Sequence, residues 1–129
     1  MTDRELLELA AKAAGIHIDK SPHNGGGYGN TGFDLLGNAV LDWHNNKRWN
    51  PLADDGDALR LAVALDLSSL MIFSYIDGNN QGKRREFWTP NSGYDGGKSA
   101  TTEAEYEADP YAATRRAIVR AAAEVGQKG

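Results

Sequence analysis

Apolar residues recur every three or four positions in three stretches of the chain, a spacing typical of helices that bury one face. This spacing predicts helices over about 3–14, 56–66 and 110–125. Each stretch is preceded by residues that commonly cap helices: Thr2, Asp54 or Asp55, and Asp109. The middle helix should turn four apolar side chains toward the core: Leu59, Ala62, Val63 and Leu65.

Between the helices, apolar and polar residues alternate over short segments, which is the pattern of half-buried strands. The predicted strands are 16–18, two short strands within 33–44 joined near Gly37 and Asn38, 69–76, 85–89 and 99–106. Hairpin-type connections join most of them. The sequence therefore predicts an α+β fold, in which a small antiparallel sheet and three helices (N-terminal, middle and C-terminal) pack as a sandwich.

The chain contains 15 glycines, which is well above the average of roughly 7%. They cluster in two predicted loops, at 23–32 and at 90–98. The first loop does not have the pattern G-x-x-x-x-G-K-[ST], and no Lys follows its glycines. A Walker-type phosphate loop is therefore disfavoured, and a connection around Tyr28 is the simpler interpretation.

Size and charge narrow the class of protein. A chain of 129 residues suits one domain, 1–129. It has no Cys, no apolar run long enough to span a membrane, and acidic residues at its N-terminus, all of which favour a cytoplasmic location. The net charge is −4 and the pI about 5.3. Binding to long DNA or RNA or to a membrane is therefore not expected, whereas a pocket with a few arginines can still bind a nucleotide.

Motifs for metal binding and for catalysis do not stand out. Three histidines lack metal-ligand spacing: His17, His23 and His44. The acidic run 54–57 lacks the later positions of a calcium loop and is explained by helix capping. We therefore expect no metal, no cofactor and no enzymatic activity. An enzyme that processes nucleotides with Asp54, Asp57 or a histidine is one alternative, and a protein-interaction module that inhibits a host factor is another.

The start of the last predicted helix is the strongest candidate for a binding site. Free N–H groups at a helix N-terminus attract anions, and so do the guanidinium groups of Arg115 and Arg116 one turn later. Arg115 could pair with the acidic strand before the helix, and Arg120 has Glu124 as a ready partner. Arg116 is therefore the favoured anchor for an anionic ligand.

The predicted strand that ends near residue 89 carries two adjacent aromatic residues, Phe87 and Trp88. Neighbouring strand residues face opposite sides of a sheet, so one of the two must face solvent, a partner chain or a ligand. An aromatic face beside arginines is a common way to hold a base and a phosphate. Phe87 and Trp88 thus predict an aromatic wall for the binding site around Arg116.

Two segments carry a resemblance to a known family. They are Trp49-Asn50-Pro51-x-x-Asp54-x-x-x-Ala58 and Asp109-Pro110-x-Ala112-x-x-x-Arg116-Ala117. They resemble the phage ABA sandwich domains, which include the first class of anti-Thoeris proteins. The likeness covers about half of the chain, from Trp49 to the end, and its motifs are short.

The resemblance implies an α+β sandwich that forms a homo-oligomer and sequesters a cyclic ADP-ribose-type immune signal without cleaving it. Some members of the family also look able to hold cyclic oligonucleotides. Carried over residue by residue, it implies ligand contacts from Arg116, from either Phe87 or Trp88, from Asn91 and from Arg60. Arg115, next to Arg116, is a further candidate from the sequence itself. Such a protein would act in the cytoplasm of an infected bacterium.

The predicted strands 16–18 and 99–106 are short, and they leave sheet edges that need cover. A second copy of the chain often covers such edges in small sandwich proteins. The strand pattern therefore predicts a homo-oligomer independently of the resemblance.

Overall fold

A computed structural model describes residues 1–20, 31–77, 80–88, 98–100 and 102–128. The helices of these residues are α1 (Asp3–Ala14), α2 (Asp55–Ala64), α3 (Glu103–Ala108) and α4 (Pro110–Lys128). The strands are β1 (Ala39–Asp42), β2 (Lys47–Trp49), β3 (Ser68–Asp77), β4 (Asn80–Trp88) and β5 (Lys98–Ala100). All strand pairs among them are antiparallel. The predicted α+β class is confirmed, with one helix more than expected.

Helix α1 has the bounds that its sequence predicts. The Thr2 hydroxyl accepts a hydrogen bond from the backbone N–H of Glu5 at 3.1 Å, which caps the helix start. Gly15 adopts a φ of 71°, the left-handed conformation that commonly ends a helix. The helix then packs along α4, so the N-terminus and the C-terminal segment of the chain share one core.

Small side chains line the contact between α1 and α4. The buried alanines of the two helices include Ala10, Ala11, Ala117, Ala121 and Ala122. Gly126 approaches so closely that a Cβ on it would overlap the backbone carbonyl of Leu9. None of the helices in the described part of the chain is both long and apolar enough to cross a membrane.

The strand predicted over 99–106 is wrong for most of its length. Only Lys98–Ala100 forms a strand, and Glu103–Ala108 forms helix α3. The reason is a capping box at Thr102 and Glu105: the N–H of Glu105 donates to the Thr102 hydroxyl at 3.3 Å, and the N–H of Thr102 donates to the Glu105 carboxylate at 3.2 Å. The local start signal outweighs the apolar–polar alternation.

The predicted hairpin near Gly37 is displaced along the chain. A tight turn does occur there, but only one bridge, between Phe33 and Ala39, closes it. The ladder that follows joins β1 to β2, and the chain reverses at 43–46. The segment 16–18 is not a strand; just after it, the N–H of Asp19 donates to the carbonyl of Val40 at 2.8 Å.

Helix α2 begins after its cap Asp54, as predicted, but its buried face differs from the predicted one. Leu59 and Val63 are 64% and 71% exposed. The buried side chains are those of Ala58, Leu61 and Ala62. The helix is rotated relative to the prediction because Ala58 and Leu61 pack into the core around Trp49.

Strand β4 is the central strand of the second sheet, between β3 and β5. Its backbone runs beside both α3 and α4. The predicted pairing of the strands at 69–76 and 85–89 is confirmed, but the second strand is longer than predicted: β4 begins at Asn80, and β3 lies opposite it from Ser68↔Trp88 to Asp77↔Asn80. Most of the glycine-rich loop 23–32 and most of the loop 90–98 lie outside the described residues.

Candidate functional site

The start of α4 is occupied by the protein's own carboxylate. Oδ1 of Asp109 accepts hydrogen bonds from the backbone N–H groups of Tyr111 and Ala112, both at 3.1 Å. Asp109 is thus the cap that the sequence predicts. The same contacts use donors that an external anion would need, so the helix terminus is not the anion site that the sequence suggested.

Arg115 faces α2 rather than the acidic segment that precedes its own helix. Its Nε donates to the carbonyl of Leu52 at 2.9 Å, and its Nη1 donates to the carboxylate of Asp55 at 2.6 Å. The side chain is only 17% exposed. Arg115 therefore holds α4 against the start of α2, and the predicted pairing with the preceding segment is wrong.

Arg116 and Arg120 lie one turn apart on α4 and join it to two other helices. Nη2 of Arg116 donates to the carboxylate of Asp3 on α1 at 2.9 Å. Nη2 of Arg120 lies 3.7 Å from the carboxylate of Glu105 on α3, so it does not pair with Glu124 as predicted. Within the described residues, Nε and Nη1 of Arg116 and every nitrogen of the Arg120 guanidinium make no hydrogen bond.

A cavity of about 360 Å³ opens beside these two guanidinium groups. We call it the arginine cavity, and it is lined by Met1, Leu6, Arg116, Arg120, Ala123, Glu124 and Gln127. Its wall combines two cations, an amide and a carboxyl group. It therefore has the donors that an anionic ligand requires.

Glu124 is the unusual member of this wall. Its Oε2 atom is buried and has no hydrogen-bond partner within the described residues. Burial raises the pKa of the Glu124 carboxyl above its ordinary value, and the charge of Lys128 only partly opposes that rise. The cavity wall thus contains a carboxyl group that gains a proton more readily than an exposed one.

A larger groove of about 550 Å³ lies between α2, α3 and α4. We call it the tyrosine groove, and it is lined by Asp55, Ala58, Leu59, Tyr106, Pro110, Tyr111, Thr114, Arg115 and Ile118. The sequence prediction missed Tyr106 and Tyr111. Tyr111 follows Pro110 at the start of a predicted helix, where an exposed side chain is expected, whereas the alternation over 99–106 places Tyr106 in a predicted strand.

Arg60 belongs to neither of these two sites. It is mostly exposed on α2 and pairs with the carboxylate of Asp57 at 2.9 Å. It lines a separate cavity of about 480 Å³ that also contacts Lys47 and Trp49. The structure therefore does not bring Arg60 together with Arg116.

The aromatic candidates are described only through their backbone. Phe87 lies opposite Ser69 and Ser99, and Trp88 lies opposite Ser68 and Lys98. Their strand β4 runs beside α4, the helix that carries Arg116. The remaining predicted ligand residue, Asn91, lies outside the described residues.

Metal-ligating side chains do not converge in the described part of the chain: no group of three or more His, Asp or Glu residues there could hold a metal ion. His17 and His44 are exposed at separate places, and His23 lies outside the described residues. Asp54 and Asp57 are engaged in helix capping and in ion pairs with Arg60. Among the described residues of the enzymatic alternative, Asp57 lines one cavity, and Asp54, His17 and His44 do not line it.

Comparisons of the chain with family models, with curated proteins and with solved structures give no match. The resemblance to the phage ABA sandwich domains therefore stays a prediction that depends on the two short segments quoted above.

Proposed function

We propose that this protein binds a small anionic nucleotide in the arginine cavity and sequesters it without cleaving it. The observation that carries the proposal is the pair Arg116 and Arg120, whose guanidinium groups line one cavity with most of their donors unused by the described residues. Guanidinium groups bind phosphate oxygens through paired, charge-assisted hydrogen bonds. Two of them one helical turn apart suit a ligand with two or more phosphates.

The ion pairs that now hold the two arginines do not prevent this binding. The carboxylates of Asp3 and Glu105 are 62% and 41% exposed. Ion pairs between exposed groups contribute roughly 0–1 kcal/mol, because water screens them. A phosphate that accepts more hydrogen bonds can therefore replace either carboxylate, because breaking the ion pair costs little free energy.

A binding site for a nucleotide also needs a surface for the base. Strand β4, which carries Phe87 and Trp88, runs beside α4. One of these aromatic side chains would stack on the base while Arg116 holds a phosphate. Gln127 adds an amide that can recognise a polar edge of the ligand.

The resemblance suggests the class of ligand: a cyclic ADP-ribose isomer, and in addition cyclic oligonucleotides. It also suggests the setting, in which a phage protein disarms an immune signal in the cytoplasm of an infected bacterium. We include both in the proposal, and the experiment below tests the ligand class directly.

Isothermal titration calorimetry of the purified chain with cyclic ADP-ribose isomers and with cyclic di- and trinucleotides tests the proposal. We expect binding to at least one of them, and mass spectrometry should recover that ligand unchanged after the protein is denatured. Arg116→Ala and Arg120→Ala should each weaken binding by a factor of about 10 or more, since a charge-assisted hydrogen bond contributes roughly 1.5–3 kcal/mol.

Two control variants separate ligand binding from structure. Asp3→Asn removes the competitor of Arg116 and should leave the affinity unchanged or increase it. Arg60→Ala removes an exposed arginine outside the cavity and should have no effect. The absence of binding to every ligand in the series would refute the proposal, and a converted product would favour the enzymatic alternative.

Inhibition of a host factor by direct contact is the second candidate, and exposed apolar residues favour it. Leu35 and Leu36 project from a turn with little burial. If contact with a host protein is the function, Arg116→Ala should retain full activity in infected cells. Under the nucleotide proposal, the same variant should lose that activity.

A further inference from the structure

The cavity that Arg60 lines has no role in the nucleotide proposal. It measures about 480 Å³ and lies between the end of α1, the strands β1 and β2, and α2. It shares no lining residue with the arginine cavity or with the tyrosine groove. Its volume falls within the range of roughly 300–1,000 Å³ that is typical of small-molecule sites. Because Trp49 is part of its wall, we call it the tryptophan cavity.

Most of the wall of the tryptophan cavity is apolar. Six of its ten lining residues have apolar side chains. Trp49 and Leu61 are buried, whereas Ile16 and Leu41 are only partly buried where they pack against the core. An apolar ligand in this cavity would remove from water the surface that these side chains still expose, which is favourable.

The polar part of the wall offers cations to a ligand. It consists of Lys47, Arg48, Arg60 and Asp57. The Asp57 carboxylate already accepts two hydrogen bonds from the protein: Oδ2 from the backbone N–H of Asn50 and Oδ1 from Nη2 of Arg60, both at 2.9 Å. The donors of the lysine and the arginines are therefore the groups that remain for a ligand, and they suit an anion.

The charges of the wall fit a ligand with a single negative charge. Nε of Arg48 pairs with the carboxylate of Asp34 at 3.0 Å, and Nη2 of Arg60 pairs with that of Asp57 at 2.9 Å. Lys47 is exposed and forms no ion pair with the described residues. One cation is thus left without a counter-charge. A nucleotide with several phosphates would exceed this charge, whereas one carboxylate would match it.

Arg48 also has a donor that the protein leaves unused. Its Nη1 atom is buried and has no hydrogen-bond partner within the described residues. The carbon of its guanidinium group lies 5.1 Å from the centre of the Trp43 ring, so the group is held between that ring and Asp34. A buried donor without a partner is unfavourable. Because Arg48 lines the tryptophan cavity, an oxygen atom of a bound ligand would supply this partner.

We propose that the tryptophan cavity binds a small apolar molecule that carries one carboxylate, such as an aromatic acid. The apolar part would lie against Trp49, Ile16 and Leu41. The carboxylate would accept hydrogen bonds from Lys47 and Arg48. This site is separate from the arginine cavity and does not depend on the ligand proposed there.

Isothermal titration calorimetry of the full chain with 2-naphthoate tests the proposal. We expect one molecule to bind to each chain. The alcohol 2-naphthalenemethanol has the same ring system without the charge, and it should bind more weakly by a factor of about 10, because it loses the charge-assisted hydrogen bonds. Equal affinity for the acid and the alcohol would contradict the role given to the cations.

A variant that fills the cavity locates the site. Ala64 lines the tryptophan cavity and is exposed at the end of α2, so Ala64→Phe adds a ring at the cavity without changing the core. We expect this variant to lose the binding of 2-naphthoate. Val63→Phe is the matched control, because Val63 is 71% exposed and does not line the cavity. It should bind 2-naphthoate as the wild type does, and circular dichroism should show that both variants keep the fold.

A second pair of variants tests the charge without adding volume. Lys47→Ala should weaken the binding of 2-naphthoate by a factor of about 3, the modest effect of an exposed cation. Lys12→Ala removes another exposed lysine that does not line the cavity, and it should have no effect. A Lys47→Ala variant with the affinity of the wild type would contradict the proposed position of the carboxylate.

Two further outcomes would overturn this inference. One is the absence of 2-naphthoate binding at concentrations up to about 1 mM. The other is binding that Ala64→Phe leaves intact. Arg116→Ala distinguishes the inference from the nucleotide proposal, since it should weaken nucleotide binding and leave the binding of 2-naphthoate unchanged. A failure of either proposal is therefore visible without a failure of the other.

Discussion

The contact between α1 and α4 and the segment 33–50 are stabilised in different ways. The helix contact is built from alanines and from Gly126, which touches the backbone of Leu9. The segment 33–50 buries fewer side chains. It is instead held by hydrogen bonds to carboxylates: four to Asp34, three to Asp42, and one from the N–H of Asn50 to Asp57 of α2.

Because the two regions are stabilised in different ways, they tolerate different substitutions. A contact between small side chains has no spare volume, so it is sensitive to added atoms and insensitive to pH. A turn organised by a carboxylate tolerates changes in volume at its tip, but it depends on the charge and on the acceptor atoms. The variants below test each region by the change to which it should be most sensitive.

Gly126→Ala should have the largest effect. The new methyl group would overlap the carbonyl of Leu9, so α1 and α4 must move apart. We expect a loss of about 3 kcal/mol in the free energy of unfolding, at the upper end of the usual range for overpacking. Urea denaturation measures it. Gln127→Ala on the same turn is exposed and should change stability by less than about 0.5 kcal/mol.

The opposite result for Gly126→Ala is also informative. Alanine favours a free helix over glycine by roughly 1 kcal/mol. A variant more stable than the wild type would therefore show that α1 and α4 are not in backbone contact, and the comparison between the two regions would fail.

Asp34→Ala should have the next largest effect, a loss of about 2–3 kcal/mol, because it removes four hydrogen bonds worth roughly 0.5–1.5 kcal/mol each. Burial alone would raise the pKa of Asp34, but hydrogen bonds from Asn38, Arg48 and Leu36 outweigh it and lower the pKa. The stabilisation by the Asp34 carboxylate is therefore present above the pKa that this group has in the unfolded chain. It is lost as the pH falls through the lower pKa of Asp34 in the folded chain.

Denaturation at a series of acidic pH values measures this dependence. The wild type should lose stability with falling pH more steeply than Asp34→Ala does. Asp34→Asn keeps one acceptor oxygen and should lie between the two at neutral pH. Equal slopes for all three proteins would contradict the role given to the carboxylate.

The sequence predicts the helices of this fold better than its strands, because helix starts carry local signals. Thr2, Asp54 and Asp109 each cap the helix that the sequence assigns to them. Helix α3 has an equally clear start signal in Thr102 and Glu105, but the apolar–polar alternation over the same residues predicts a strand. The displaced hairpin depends on hydrogen bonds of Asp34, whose partner Arg48 lies 14 residues away.

The candidate site is predicted only in part, for a related reason. The sequence shows that Arg115 and Arg116 are close to a helix start. It does not show that Asp55 and Asp3 neutralise them, because those carboxylates lie 60 and 113 residues away along the chain. The tertiary fold thus separates two adjacent arginines, one into the tyrosine groove and one into the arginine cavity.

Glu124→Gln should have the smallest effect, and it tests the buried carboxyl group on α4. Burial raises the pKa of this carboxyl, so its contribution to stability is full below the unfolded value of 4.5 and is lost as the pH rises through the higher folded value. Glutamine cannot ionise. We therefore expect the variant to be more stable than the wild type at neutral pH, by about 0.5–1 kcal/mol, the lower end of the usual penalty for an unpaired buried group.

The difference between Glu124→Gln and the wild type should vanish at acidic pH, where both side chains are neutral. Denaturation at both pH values measures it, and Gln127→Ala again serves as the neighbouring control. A variant that is less stable than the wild type at neutral pH would mean that a donor holds Oε2 of Glu124 in the ionised form. The contribution of Glu124 to the packing of α4 would then depend on its negative charge, as the turn at 34–38 depends on the charge of Asp34.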